Sequence, residues 1–315
     1  TAPATMTGNL DIPAGYNWLA TATENVYEVG KAVASITTGE GAEATTTYYA
    51  TLAASVGAAS AGNTVKLLDD VEVTAMFDVT KNLTINLNGK KLSRNGGNSL
   101  VQVYSNATLT IVGTTAGSEV YGRINVGKAT NDNGSVVLNG GTYGCTSGQT
   151  VLHVNGTCTS SNVTITGAKI TSPDDNGIQL NGKGTFTITN SEITGATGIY
   201  IKSGELTLSG SKITGNKEPA DYSYYGNGAN ATGDAIVVDS CAYPGGVPAL
   251  SLDTGNTISV IDGSGNVQIG CYEKTPDTQV ANVTAMDNTL TVSPGHAWAD
   301  GETEGTYRLV RALQD

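Results

Sequence analysis

Apolar and polar residues alternate in short, repeated runs between Asn162 and Gly215. The run Val163-Thr-Ile165-Thr-Gly-Ala-Lys-Ile170-Thr returns as Phe186-Thr-Ile188-Thr-Asn-Ser-Glu-Ile193-Thr, and again as Leu206-Thr-Leu208-Ser-Gly-Ser-Lys-Ile213-Thr. Its central apolar residues, Ile165, Ile188 and Leu208, stand 23 and then 20 residues apart. A second motif, Ile178-Gln-Leu180 and Ile199-Tyr-Ile201, sits between the runs. Strict period-two alternation broken by Gly, Asn, Asp and Ser predicts short strands joined by turns. A fixed period of this length predicts a solenoid whose coils bury their apolar edges by stacking on one another. The pattern therefore points to an all-β chain folded as a right-handed parallel β-helix.

The register extends outward. The first motif recurs at Leu83-Thr-Ile85, Leu109-Thr-Ile111, Val136-Val-Leu138 and Leu250-Ser-Leu252. The second recurs at Val101-Gln-Val103, Ile124-Asn-Val126, Leu152-His-Val154 and Ile236-Val-Val238. Tyr143, Ile170, Ile193 and Ile213 form a third column, five residues after the first. Stacked at ~4.8 Å per coil, these give three apolar columns inside and polar columns outside.

Flanking segments read differently. Residues 1–44 form an N-terminal extension with short strands at Tyr16–Leu19, Val26–Val29 and Lys31–Ile36. Tyr49, Leu52, Val56 and Ala59 fall at helical spacing and Gly62 follows, which predicts a short amphipathic helix over Thr47–Ala61. Within residues 45–62 this helix would cap the coils of 63–256, covering strand edges that otherwise invite aggregation. Thr257–Ile261, the turn Asp262–Asn266 and Val267–Ile269 read as a β-hairpin, and 257–315 as a closing element of the same structural domain.

Three stretches, Tyr49–Val56, Gly62–Val71 and Leu83–Leu92, together resemble the cap and first coils of pectin-lyase-like β-helix domains of bacterial cell-surface and secreted proteins. The resemblance implies a fold and an extracellular or cell-surface location. It does not by itself imply a reaction.

Charge narrows the partners. A net charge of −12, with only 14% charged residues, argues against nucleic acid, whose phosphates demand basic patches, and against anionic membrane surfaces. No apolar run approaches a bilayer span. The chain opens Thr-Ala-Pro-Ala-Thr, which reads as a processed or trimmed start. Four cysteines suit an oxidising compartment, with Cys145–Cys158 and Cys241–Cys271 the favoured pairs and four buried thiols the alternative. Their spacing matches no zinc motif, and no metal site is expected.

Candidate chemistry is sparse. Asp174-Asp175-Asn-Gly resembles the paired-aspartate motif of polygalacturonases, with Asp234 two coils later and His153 one coil earlier. In a hydrolase such acids must flank the scissile bond. The Gly-His-Gly, Arg-Ile-Lys and Asn-Thr-Asp elements of that pattern are missing, and Asp, Asn and Gly are also ordinary turn residues. A lyase would need a base and calcium-binding acids, and Arg94 and Arg123 are the sole arginines of the coils. No other cofactor is implied. His153 falls in an outward column with Gln102, Asn125, Gln179, Tyr200 and Val237, where a surface imidazole is expected.

The excursion Asn216–Gly233 is the stronger candidate, because solenoid insertions project from one edge and carry function. Tyr222, Tyr224 and Tyr225, with Tyr200 and Tyr243 beside them, would present flat faces to sugar rings or a protein. Thr84, Thr110, Thr164, Thr187 and Thr207 form an outward ladder that reads as structural. The expected function is an extracellular, non-catalytic module for adhesion, glycan or host-surface binding, or structural display. The alternative is a polysaccharide-degrading enzyme acting on acidic glycans.

Overall fold

The computed structural model describes residues 12–94, 99–216, 235–240 and 248–252, and beyond these the strands 257–260, 267–273, 281–284, 290–292, 296–300 and 306–311. Side chains are described up to residue 250, within these limits. Each full coil contributes one strand to each of three parallel faces. The first face carries Leu83–Asn86, Ala107–Gly113, Gly134–Gly140, Ser161–Thr166, Gly184–Thr189, Glu205–Ser209 and Ala249–Leu252 in order. The second runs from Val71–Val73 to Thr257–Val260, and the third from Phe77–Val79 to Leu290–Val292.

Register follows the apolar pattern. Ile165 pairs with Ile188, and Ile188 with Leu208, in successive parallel strands. Tyr143, Ile170, Ile193 and Ile213 align on the second face, and Ile124, Leu152, Ile178, Ile199 and Ile236 on the third. These side chains are buried, and burial alternates along Ser161–Thr166 as the pleat requires. Fully burying each Ile or Leu stabilises by roughly 1.5–3 kcal/mol. Because every coil repeats that burial, the core is a rod of stacked aliphatics.

The corner between first and second faces is closed by stacked tight turns. Gly167, Asn190 and Gly210 each adopt positive φ, of 63°, 50° and 56°. Only Gly, and less often Asn, takes this conformation without large strain. The turns bond to one another, Gly167 N–H to Thr189 O at 3.0 Å and Asn190 N–H to Ser209 O at 2.9 Å. Outside this corner, Lys169 and Glu192 pair between coils at 3.7 Å, so alternating charge reinforces stacking.

Two expectations are corrected here. The helix spans only Leu52–Ala58, because Thr45–Tyr49 is a strand paired antiparallel with Ala34–Thr38. A run of threonines and tyrosines favours the pleated surface over a helical turn. Thr51 caps the helix by accepting the Ala54 N–H at 3.1 Å. At the other end, Thr257–Val260 and Val267–Glu273 are not a hairpin. They continue the second and third faces in parallel with Lys212–Gly215 and Ile236–Ser240. The antiparallel pair His296–Asp300 and Thr306–Arg311 comes later and extends the first face.

Candidate functional site

Of the candidate residues, Asp174 and Asp175 lie at the corner between second and third faces, and His153 and Tyr200 on the third face. Successive coils cross this corner through Cys145–Val151, Ser172–Gly177 and Ala196–Gly198. The next crossing leaves Gly215 and rejoins the third face at Ile236, so the tyrosine-bearing excursion emerges at this corner. Tyr222, Tyr224, Tyr225, Asp234, Tyr243 and Cys241 lie outside the described residues, as does the side chain of Cys271. The Cys241–Cys271 pairing therefore falls there too.

Asp174 is built into a turn. Its carboxylate accepts the Gly148 N–H at 2.6 Å and the Ser147 hydroxyl, tying its own coil to the one before. Ser172 supports the same turn, accepting the Asp175 N–H at 3.2 Å and donating to Gln149 O at 2.9 Å. The Asp175 side chain accepts the N–H of Asn176 at 2.7 Å. Asn216, at the base of the excursion, reaches back across this turn and donates to Pro173 O at 3.3 Å. Its backbone N–H bonds Gly195 O at 2.7 Å. Asn216, the residue from which the excursion departs, is thus tied to the turn that carries Asp174 and Asp175.

On the third face the outward column Gln102, Asn125, His153, Gln179, Tyr200 and Val237 is in register as expected. Its exposure is not as expected. Tyr200 is 1% exposed and Val237 fully buried, so Tyr200 offers no ring face to a ligand. Lys202, also fully buried, holds its Nζ 4.7 Å from the centroid of that ring. His153 is partly buried rather than open on the surface. Asn181 bonds its Nε2 at 3.1 Å, and burial, reinforced by the Arg123 and Lys202 charges, pulls its pKa from 6.5 down to about 3. His153 is therefore neutral at physiological pH.

Arg123 and Lys202 are the functional candidates that sequence reasoning missed. Arg123 lies within electrostatic reach of Asp175, Cys145 and His153, and burial lowers its pKa. Among the described residues its Nε has no hydrogen-bond partner, and neither has Oδ1 of Asn176 or of Asn181. The available signal for Lys202 was positional. Gly127, Asn155, Asn181 and Lys202 each follow a third-face strand and donate a backbone N–H to the coil before, so the lysine takes a place held by glycine or asparagine in earlier coils.

Cys145 and Cys158 are free and buried rather than bridged. They occupy different corners of one coil, since Cys145 follows the second-face strand and Cys158 the third. The Cys145 thiol donates to Gln149 O at 2.8 Å, and burial pushes its pKa up to about 11. The Cys158 sulfur fills the space beside Gly127, where a Cβ would lie 2.0 Å from it. Both behave as small apolar packing groups.

Among the described residues there is no group of three His, Cys, Asp or Glu side chains able to hold a metal ion, and no helix long and apolar enough to cross a membrane. Residues 150–299 match the family model described as right handed beta helix region. No curated protein and no solved structure matches the chain.

Proposed function

We propose that this right-handed parallel β-helix is a non-catalytic display module of the cell exterior, and that it contacts a glycan or surface ligand through its tyrosine-bearing excursion. One observation carries the reading. The turn that most resembles a catalytic acid pair serves as a platform, with Asp174 bracing the preceding coil and Asn216, where the excursion departs, tied to Ser172–Gly177. A carboxylate already accepting a backbone amide and a hydroxyl is poorly placed to shuttle protons. A regular coil stack interrupted by a long tyrosine-bearing insertion suits presentation of stacking side chains.

The degradative alternative draws on a different feature, the grouping of Arg123, His153 and Asp175 within electrostatic reach. A depressed imidazole pKa beside a cation can mark an active site, although structural networks shift pKa values as well. The two readings separate cleanly in experiment. Glycan-array binding by the wild type, lost in the Tyr224→Ala/Tyr225→Ala variant, with no release of reducing or unsaturated sugars from polygalacturonate, is the expected result. Sugar release that disappears in Asp175→Asn would overturn it in favour of catalysis.

A further inference from the structure

Among the described residues, the N-terminal end of the solenoid is only half covered. The helix Leu52–Ala58 packs on Ala34–Thr38, Thr45–Tyr49 and Thr64–Leu67, all strands of the first face. That face overhangs the first coil by four strands, ending at Tyr27–Lys31, which is roughly 19 Å at the usual strand spacing. The second and third faces stop at Val71–Val73 and Phe77–Val79, the last strands of their sheets. Between helix and coil edge lies an apolar groove of about 650 Å³, walled by Leu52, Val56, Val71, Val73, Met76 and Phe77.

Three further observations bear on what fills it. The outer edges of Val71–Val73 and Phe77–Val79 make no backbone hydrogen bond toward the helix among the described residues, leaving a ladder available for pairing. The charged side chains lining the groove, among the described residues, are carboxylates alone: Asp70 and Glu72, both exposed. The exposed large apolar side chains among the described residues, Tyr16, Val26, Val29 and Met76, all belong to this end of the chain. A solenoid elsewhere covered in threonine, asparagine and paired charge thus concentrates its apolar surface here.

We infer that this groove is a strand-addition site for an extended polypeptide segment in which apolar residues alternate with lysine or arginine. Such a segment would hydrogen-bond to the free edge of Val71–Val73 or Phe77–Val79. Its apolar side chains would drop between helix and coil, and its cations would meet Asp70 and Glu72. A second copy of this chain stacked end to end does not fit. The first face also overhangs at the far end, through Thr306–Arg311 and His296–Asp300, so overhanging strands would hold the coil edges of two copies apart. Two copies meeting by their N-terminal ends would bring the same carboxylates together.

The test uses a fluorescein-labelled hexapeptide of alternating lysine and valine, followed by fluorescence anisotropy against the intact chain at physiological salt. Saturable binding is expected, weakened at least about tenfold when glutamate replaces lysine in the peptide or when the protein carries Glu72→Lys. Met76→Lys, at a position already 39% exposed, provides a second variant that leaves the fold intact and is expected to weaken binding likewise. Hydrogen exchange should slow at residues 71–79 on peptide addition and at no other strand. The Tyr224→Ala/Tyr225→Ala variant should bind the peptide as the wild type does, which keeps this site distinct from the excursion. Absent saturation, equal affinity for the glutamate peptide, or protection confined to another region would each overturn the inference.

Discussion

His153 shows what burial does to a single group. Its native pKa of about 3 lies below the ordinary 6.5, so between those values the unfolded chain binds a proton that the native chain refuses. Stability should therefore fall as pH drops through 6.5 and continue to fall toward 3, with no contribution from this residue above neutrality. Replacing it with Gln, the residue at both Gln102 and Gln179 in the same column, should reduce the loss of urea midpoint between pH 7 and pH 5. An unchanged slope would mean that the imidazole titrates freely in the native state. Core positions behave more simply. Ile188, buried between Ile165 and Leu208, should cost about 2–5 kcal/mol on truncation to Ala in chemical denaturation. Gly184→Ala should cost about 3 kcal/mol or more, because the new Cβ would lie 1.7 Å from the Ser161 carbonyl oxygen. At this scale the position of His153 was legible in sequence and its surroundings were not. Alternation fixes which way a side chain points. Arg123, Asn181 and Lys202, which crowd the imidazole, come from other coils and leave no local trace.

Strands and turns divide along the same line. The triple repeat around Ile165, Ile188 and Leu208 set the strand register correctly, because a one-residue slip would turn every apolar side chain outward. Spacing alone misled at the ends. Tyr49 falls at helical spacing with Leu52, yet Thr45–Tyr49 gains five cross-strand partners in Ala34–Thr38 and stays extended. Thr257–Ile269 resembles a hairpin locally, but parallel pairing with the coil below outweighs that turn signal. The Asp174 turn permits a direct check on its bracing role. Asp174→Ala should destabilise by about 1–3 kcal/mol and speed amide exchange at Gly148, whose N–H it accepts. Retention of wild-type exchange at Gly148 would show that the carboxylate is free for another role. Thr51→Ala, which removes the helix cap, should cost about 1 kcal/mol and fray Leu52–Ala58 without disturbing the coils.

As a whole the molecule is a stack in which each coil supports the next, and the proposed sites are interruptions of that regularity. The threonine ladder Thr84, Thr110, Thr164, Thr187 and Thr207 runs up the first face with Val137 between, in unbroken register. It joins paired charges on the second face in a surface that repeats rather than singles out a site. The departures are the excursion at the second–third corner and, among the described residues, the half-covered N-terminal end. The central claim is the stacking itself, and cysteine pairs in a background with the four native cysteines replaced test it most directly. Thr187 and Thr207 are aligned neighbours in adjacent coils, ~4.8 Å apart and within disulfide reach, whereas Thr164 and Thr207 are separated by two coil steps. Mild oxidation should crosslink Thr187→Cys with Thr207→Cys and leave Thr164→Cys with Thr207→Cys reduced, read as free thiol and intact mass. Crosslinking of the distant pair in preference to the near one would contradict the stacked-coil account.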